Sequence, residues 1–463
     1  MKSLVDKLKD VDELILATDE DREGEAISWH LLEVLKPKVP VKRMAFREIT
    51  KEAVLNALEN TRDIDMKLVH AQETRRILDR LAGYTVSPLL WKKISPGLSA
   101  GRVQSVAVKM LVERERERMK FRSGTYYDLS AVLQKSGEND EFNADLTHIN
   151  EKRLASGKDF DENTGKLKKP DSVVLLDEAK SKDLVEKLKG ADWSVTNVDV
   201  KTQKRNPAPP FITSTLQQEA NRKFNFSARD TMSVAQKLYE KGFITYMRTD
   251  STNLSSQAIT AARDGIVDQY GEDYLFDRVR TYTKKGKSAQ EAHEAIRPTS
   301  VLRTPDEMKA YLSVDQHKLY NLIWQRTLAS QMIHATLNTV AVDLGCGKGN
   351  TFRANGSTVV NPGFMSVYLE GKDDTKGDKD ENILPPMEVG EVVDLVAIRP
   401  EQHFTEPPPR YSEASLVRSL EEHDIGRPST YASIISTLLQ REYVELINKR
   451  FHPTDVGRVV GKF

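Results

Sequence analysis

Asp19, Asp21 and Glu23 stand at alternate positions of Thr18–Gly24 (TDEDREG), directly after the apolar run Leu14–Ala17. In an extended loop that spacing points three carboxylates the same way. Such a group repels itself unless a cation sits in it, and hard oxygen donors favour Mg²⁺. The opening DEDREG also matches the start of an EF-hand loop. Its twelfth position, however, is His30 and not the bidentate glutamate, and a strand precedes it where an EF-hand has a helix. An acidic, solvated turn is the remaining alternative.

A second candidate is Tyr246 in Gly242–Asp250 (GFITYMRTD). A phenol can attack a phosphodiester if a cation steadies the charge on phosphorus, and a strand period of two puts Arg248 on the face of Tyr246. With 14 tyrosines in the chain, a tyrosine that simply packs is the competing reading. His293, in QEAHEAIR, could bind phosphate or move a proton, or be a surface residue at a helix start. Arg75, Arg76 and Arg80 share about one helical turn with Asp79. Ser99, Ala100, Gly101, Arg102, Val103 and Gln104 combine small residues, which allow close backbone approach, with polar donors for phosphate. Tyr84 and Trp91 offer flat faces on which unpaired bases could stack, or core aromatics.

The elements that position these residues follow from periodicity and breakers. A strand at Leu14–Ala17 leads into a helix over Ala26–Leu35. A helical region is expected from Thr50 to about Lys120, interrupted at Ser95-Pro96-Gly97. Short strands are expected at Tyr127–Leu133, Ser172–Leu176 and Trp193–Val200, with Ser156–Asp171 as an exposed polar loop. Ser214-x-x-Gln217 and Ser227-x-x-Asp230 read as capping boxes, the second helix ending at Gly242 and Phe243–Met247 following as a strand. Helices then fill Ser255–Gln331 and strands return from Thr336. Asp373–Glu381 reads as a charged loop. The prolines of Arg205–Pro210 (RNPAPP) and Glu406–Pro409 (EPPP) mark two hinges. Ser412–Glu422, a turn, Thr430–Arg441 and a strand from Glu442–Val444 form a winged helical hairpin, an arrangement that often binds DNA but is also ordinary architecture.

The chain has 463 residues, suiting about three domains, and its 38% apolar content excludes a disordered polymer. One cysteine, Cys346, excludes an internal disulfide and a cysteine-rich zinc site. No apolar run reaches the ~18 residues of a membrane span, and no secretory leader is visible, so a cytoplasmic protein is expected. Sixty-nine basic residues balance 69 acidic ones, but unevenly: residues 71–130 hold twelve Lys/Arg against six Asp/Glu, and residues 1–25 four against nine. A neutral chain can therefore carry a basic face for a polyanion. Glu113–Arg118 (ERERER) fits a solvated face of alternating sign.

Six motifs in order, ATDEDREGEAISWHL (Ala17–Leu31), LSAGRVQSVAV (Leu98–Val108), FITSTLQQEA (Phe211–Ala220), GFITYMRTDSTNLS (Gly242–Ser255), AHEAIRPT (Ala292–Thr299) and RYSEASLVRSLE…GRPSTYASII (Arg410–Ile435), together resemble the bacterial type IA DNA topoisomerases. The resemblance implies a multidomain α/β plus α and β fold, a toroidal arch. Its parts would be a partial Toprim domain (1–63), a winged-helix-like single-strand-binding domain (64–122 with 406–463), a β-rich hinge domain (123–205 with 335–405) and a helical domain carrying the tyrosine (206–334).

It further implies Mg²⁺ on Asp19, Asp21 and Glu23, with Glu23 also catalytic. Tyr246 would be the nucleophile that forms a 5′-phosphotyrosine, Arg248 would stabilise the phosphate and His293 would stand near it. Arg75, Arg76, Asp79, Arg80, Tyr84, Trp91, Ser99–Gln104, Arg248, Arg427 and Arg441 would hold single-stranded or negatively supercoiled DNA. The implied enzyme is a monomer that relaxes DNA without ATP, and no G-x-x-x-x-G-K-[ST] loop occurs. Met247 stands where the decatenating topoisomerase III branch usually has proline. The family's opening strand with its E-S-P-x-K glutamate and its C-terminal zinc ribbons do not occur in these residues. A front edge missing from the Toprim sheet is therefore expected, and with it either slow cleavage or a non-catalytic DNA-binding remnant.

Overall fold

The computed structural model describes residues 2–137, 140–282, 294–372 and 383–462. Within them the chain builds three cores. The loop expected at Asp373–Glu381 lies outside the described residues.

The N-terminal segment is a two-stranded parallel sheet, Leu14–Leu16 beside Val41–Arg43, joined by the helix Arg22–Leu35. Helices Lys51–Glu59, Met66–Lys93 and Gln104–Lys120 follow, with the break near Ser95-Pro96-Gly97 as expected.

Residues 125–205 and 335–404 supply one antiparallel sheet. Its strands run Thr125–Lys135, Val392–Phe404, Trp193–Arg205, Ala335–Cys346, Asn350–Asn361 and Glu141–Ile149, and the last pairs with the first. These six long strands thus close on themselves as a barrel, with a short seventh, Lys152–Arg153, beside Glu141–Ile149; Trp193–Arg205 meets Val392–Phe404 only at Trp193 and Ser194. Period two fills its interior with Leu129, Ala131, Leu133, Trp193, Val195, Leu344 and Phe352. The expected strand Ser172–Leu176 does not form: Pro170–Ser172 is a single 3₁₀ turn, since proline cannot donate to a ladder, and only isolated bridges follow. In the loop Ser156–Asp171, Phe160 is buried against Tyr126, so the segment is not wholly exposed.

The second core packs helices Thr213–Phe224, Ala228–Glu240, Ser256–Tyr270 and Val314–Ala329. Ser227 caps the second of these and Gly242 ends it at φ +72°, as expected. Ser214 caps nothing: it is buried one residue inside the first helix, and Thr215 bonds the Ile212 amide instead. Phe243–Met247 is extended but joins no sheet, because its polar groups are met by loops on either side.

The third core joins Gln104–Lys120 to helices Glu413–Glu422, Tyr431–Gln440 and Asp455–Lys462 and the wing Val444–Ile447 with Arg450–Pro453. Here the ERERER stretch departs from a solvated face. Arg114 donates to the Pro409 carbonyl at 2.7 Å, and Glu115, 8% exposed, takes two bonds from Arg410 at 2.7 and 2.9 Å. The alternating charges pin the proline hinge. Among the described residues no helix is long and apolar enough to cross a membrane.

Candidate active site and nucleic-acid interface

The acidic loop leaves the strand Leu14–Leu16 and turns directly into a helix. Asp21 is the N-cap, its Oδ1 accepting from the Gly24 amide at 2.8 Å. The loop folds back so tightly that a Cβ on Gly24 would lie 2.1 Å from the Asp19 carbonyl oxygen. Only glycine fits there.

What holds the loop is Arg43, whose side chain is 0% exposed. Its guanidinium donates to the carbonyls of Leu16, Thr18 and Asp19 at 3.1, 2.8 and 2.7 Å, and its Nε to Glu25 Oε2 at 3.0 Å. Glu25 also takes two bonds from Arg62 and one from the Asp65 amide. Burial alone would raise the Glu25 carboxyl, but these donors hold it below its usual value. The sequence reading missed Arg43, Glu25 and Arg62, since nothing in their type or spacing marks them.

The tyrosine segment docks against the same loop. The Tyr246 amide donates to the Arg47 carbonyl at 2.8 Å and the Thr245 amide to that of Arg297 at 2.9 Å. Gly242 passes so close that a Cβ there would stand 2.3 Å from the Ile49 carbonyl oxygen. Tyr246 is 4% exposed, with its ring edge-on to Tyr239. Its hydroxyl donates to Asp21 Oδ2 at 2.6 Å, and Arg248 Nη1 lies 3.8 Å from the same oxygen. Burial first, and then the Asp21 charge, push the Tyr246 hydroxyl far above an ordinary phenol. Burial and Asp21 likewise raise the Asp19 carboxyl, against the pull of Arg248. Two crowded carboxylates around one phenol are a donor set with more negative charge than its surroundings neutralise. That fits a hard divalent cation.

Glu23 does not join them. It sits in the first turn of the helix, beyond the extended stretch, and its Oε1 accepts from Arg75 Nη1 at 3.1 Å and faces Ser429 Oγ at 3.5 Å. The expectation of three parallel carboxylates fails because helical geometry starts at Arg22 and turns the third away. His293 lies outside the described residues.

Arg75 opens a cleft of about 470 Å³ that also gathers Arg22, Arg102 and Arg427, floored by Leu78, Val103 and Val106. Arg102 Nε is paired with Asp79 at 2.8 Å. Along the helix Met66–Lys93, Arg76 is exposed outside this cleft, and Arg80 lies 5.4 Å from the Tyr84 ring centroid. Tyr84 is 72% exposed, and Trp91 is half-exposed with its Nε1 on the Leu98 carbonyl. Arg441 reaches the Gly97 carbonyl at 3.3 Å.

One expectation changes. The amides of Ser99, Ala100 and Gly101 are bonded to Tyr443 Oη, Ser87 Oγ and Ser105 Oγ, so they are engaged within the fold. The cleft's donors are side chains, those of Arg22, Arg75, Arg102 and Arg427. Arg22 was missed because it sits among the acids of TDEDREG.

With this geometry in hand, the similarity to known proteins is consistent. A family model for DNA topoisomerase matches residues 63–463, and one for the Toprim domain, a metal-binding domain, matches residues 1–49. The chain is 54% identical over 457 residues to DNA topoisomerase 1 of a Synechocystis species, covering 98% of this chain and 50% of that protein. It is 54% identical over 466 residues to DNA topoisomerase 1 of Mycolicibacterium smegmatis, again covering 98% and 50%. The chain thus spans about half the length of the curated relatives it matches. The fold resembles full-length topoisomerase I of Thermotoga maritima at a TM-score of 0.81 and 38% identity, covering 100% of this chain and 72% of that one.

Proposed function

Because the chain belongs to the DNA topoisomerase family, we propose that it carries the type IA strand-breaking centre, with Tyr246 as nucleophile. The observation that supports this most is the bond from Tyr246 Oη to Asp21 Oδ2 with Arg248 beside it. When a phosphodiester enters, Tyr246 Oη attacks phosphorus and its proton passes to the Asp21 carboxylate. The bond to the 3′ oxygen breaks, that oxygen takes up a proton, and a 5′-phosphotyrosine remains. Arg248 offsets the charge that grows on the phosphoryl oxygens. Resealing runs the same steps backwards, so bond energy is kept and no ATP is consumed.

Asp19 and Asp21 are the residues that would hold Mg²⁺, which would supply positive charge near the phosphate. Glu23, tied to Arg75, instead faces the strand's approach. The cleft of Arg22, Arg75, Arg102 and Arg427 takes single-stranded DNA, with Tyr84 and Trp91 as stacking faces. His293 is assigned by resemblance alone. In this reading residues 1–63, 64–122 with 406–463, 123–205 with 335–405, and 206–334 act as four bodies of a monomeric cytoplasmic enzyme, the barrel serving as the hinge.

Relaxation of negatively supercoiled plasmid with Mg²⁺ is the test. A ladder of topoisomers, abolished by EDTA, is expected. A gel shift with unchanged linking number would leave a DNA-binding protein without the chemistry.

A further inference from the structure

We propose that Asp128, Glu401 and His403 form a second metal site, on the outer face of the barrel, for a divalent ion of the zinc class. The three lie on neighbouring antiparallel strands, with Asp128 opposite Glu401 and Tyr126 opposite His403. Period two puts these side chains on the face opposite Leu129 and Ala131. One donor atom from each falls within 4.8 Å of the others; among the described residues this is the group of three that does so.

An ion pair between His403 and Asp128 is the simpler reading, and their distance allows it, yet it leaves the hydrogen-bonding capacity of both atoms unmet. His403 Nε2 and Asp128 Oδ1 stand 2.9 Å apart. Both atoms are sealed from solvent, yet no hydrogen bond joins them or reaches either from elsewhere. The short contact therefore lies off the ring's N–H axis. Two buried donor atoms this close, both without a hydrogen-bond partner, are what a shared cation would satisfy.

The surroundings agree. Tyr126 stacks on the His403 ring at 5.2 Å and fixes its plane. Asp145, opposite Ser130 on the next strand, brings another carboxyl to the same face. Arg399 faces the group and pairs with Glu401 at 3.0 Å. Glu401 is the half-exposed member, and binding an ion at about 2 Å would have it exchange its surface pair with Arg399 for the metal. One imidazole with two carboxylates suits Zn²⁺ far better than Mg²⁺, which prefers oxygen alone.

The position gives the ion a task. Thr405, two residues past His403, is bonded to Ser123 and Gly124, which lead into the neighbouring strand. A metal here would staple the two strands where both leave the barrel for the helical base.

The whole chain, stripped with EDTA and held in excess Mg²⁺ to satisfy the Asp19 and Asp21 carboxylates, would be titrated with Zn²⁺. Calorimetry and metal analysis after dialysis provide the readout. One retained equivalent is expected, together with a Zn²⁺-dependent rise in Tm. His403→Ala and Asp128→Asn should weaken binding by roughly tenfold or more, while Asp19→Asn should keep it. If His403→Ala misfolds, Glu401→Gln tests the same point at the half-exposed ligand. Equal retention by the ligand variants and the wild type, or no zinc retained by the wild type, would overturn the site.

Discussion

Tyr246 and Asp21, 225 positions apart in the chain, meet in a buried 2.6 Å hydrogen bond. It ties the helical body to the acidic loop through the very hydroxyl proposed to attack DNA. The resting protein therefore keeps its nucleophile protonated and covered.

Tyr246→Phe removes that hydroxyl and keeps the ring on Tyr239. Covalent capture of a labelled oligonucleotide, read on a denaturing gel, should vanish, while single-strand affinity stays within about twofold. A surviving adduct would mean that another residue attacks.

Gly24→Ala should reverse the usual rule. Alanine in a helix is favoured over glycine by about 1 kcal/mol. Here the new methyl would stand 2.1 Å from the Asp19 carbonyl oxygen, a backbone atom that cannot swing aside. Overpacking of this kind costs about 1–3 kcal/mol. Urea unfolding should show a net loss, and cleavage should fall with it; an unchanged midpoint would show that the loop relaxes freely.

Arg43→Met leaves three loop carbonyls and one Glu25 oxygen without their buried donor. Breaking such a buried pair costs on the order of 3–5 kcal/mol. Because Arg43 acts through the loop, the Mg²⁺ concentration for half-maximal cleavage should rise. A variant that only lost stability would keep that value at low temperature.

Glu115 gives a pH signature. Its bonds from Arg410, opposed by burial, hold the carboxyl below the usual 4.5. A carboxyl depressed by folding stabilises the protein above its unfolded pKa, and that contribution disappears as pH falls through the folded value. The Tm advantage of wild type over Glu115→Gln should be full at neutral pH and shrink below about pH 4.5. A constant gap would show that the Arg410 pair is not what depresses it.

Arg102→Ala should weaken DNA binding at every sequence and reduce the slope of log K against log salt by about one. Arg76→Ala, outside the cleft, should change that slope less. Equal effects would place the strand elsewhere on the helix.

Local order was legible in the chain itself. Ser227 and Gly242 bound their helix as the capping rules require, and the prolines at 407–409 interrupt regular structure. Alternation in Tyr127–Leu133 marked a strand, and Tyr246, Arg248, Asp19 and Asp21 stood out by residue type and motif. These depend on neighbours a few positions away, and sequence records such neighbours directly.

What tertiary structure alone decided is which distant groups share a site. Arg43 clamps the acidic loop because a parallel strand brings it beside Leu16, and no local pattern encodes that pairing. Glu23 departs from Asp19 and Asp21 because the helix starts between them, although equal spacing promised one face. The ERERER charges alternate as on a solvated face, and only the proline hinge folded onto them engages Arg114 and Glu115. His403 and Asp128 lie 275 residues apart and become neighbours only when their two strands pair. Contacts of that range are set by how hydrophobic faces stack and how strands pair, and a side chain's partner then follows from the register.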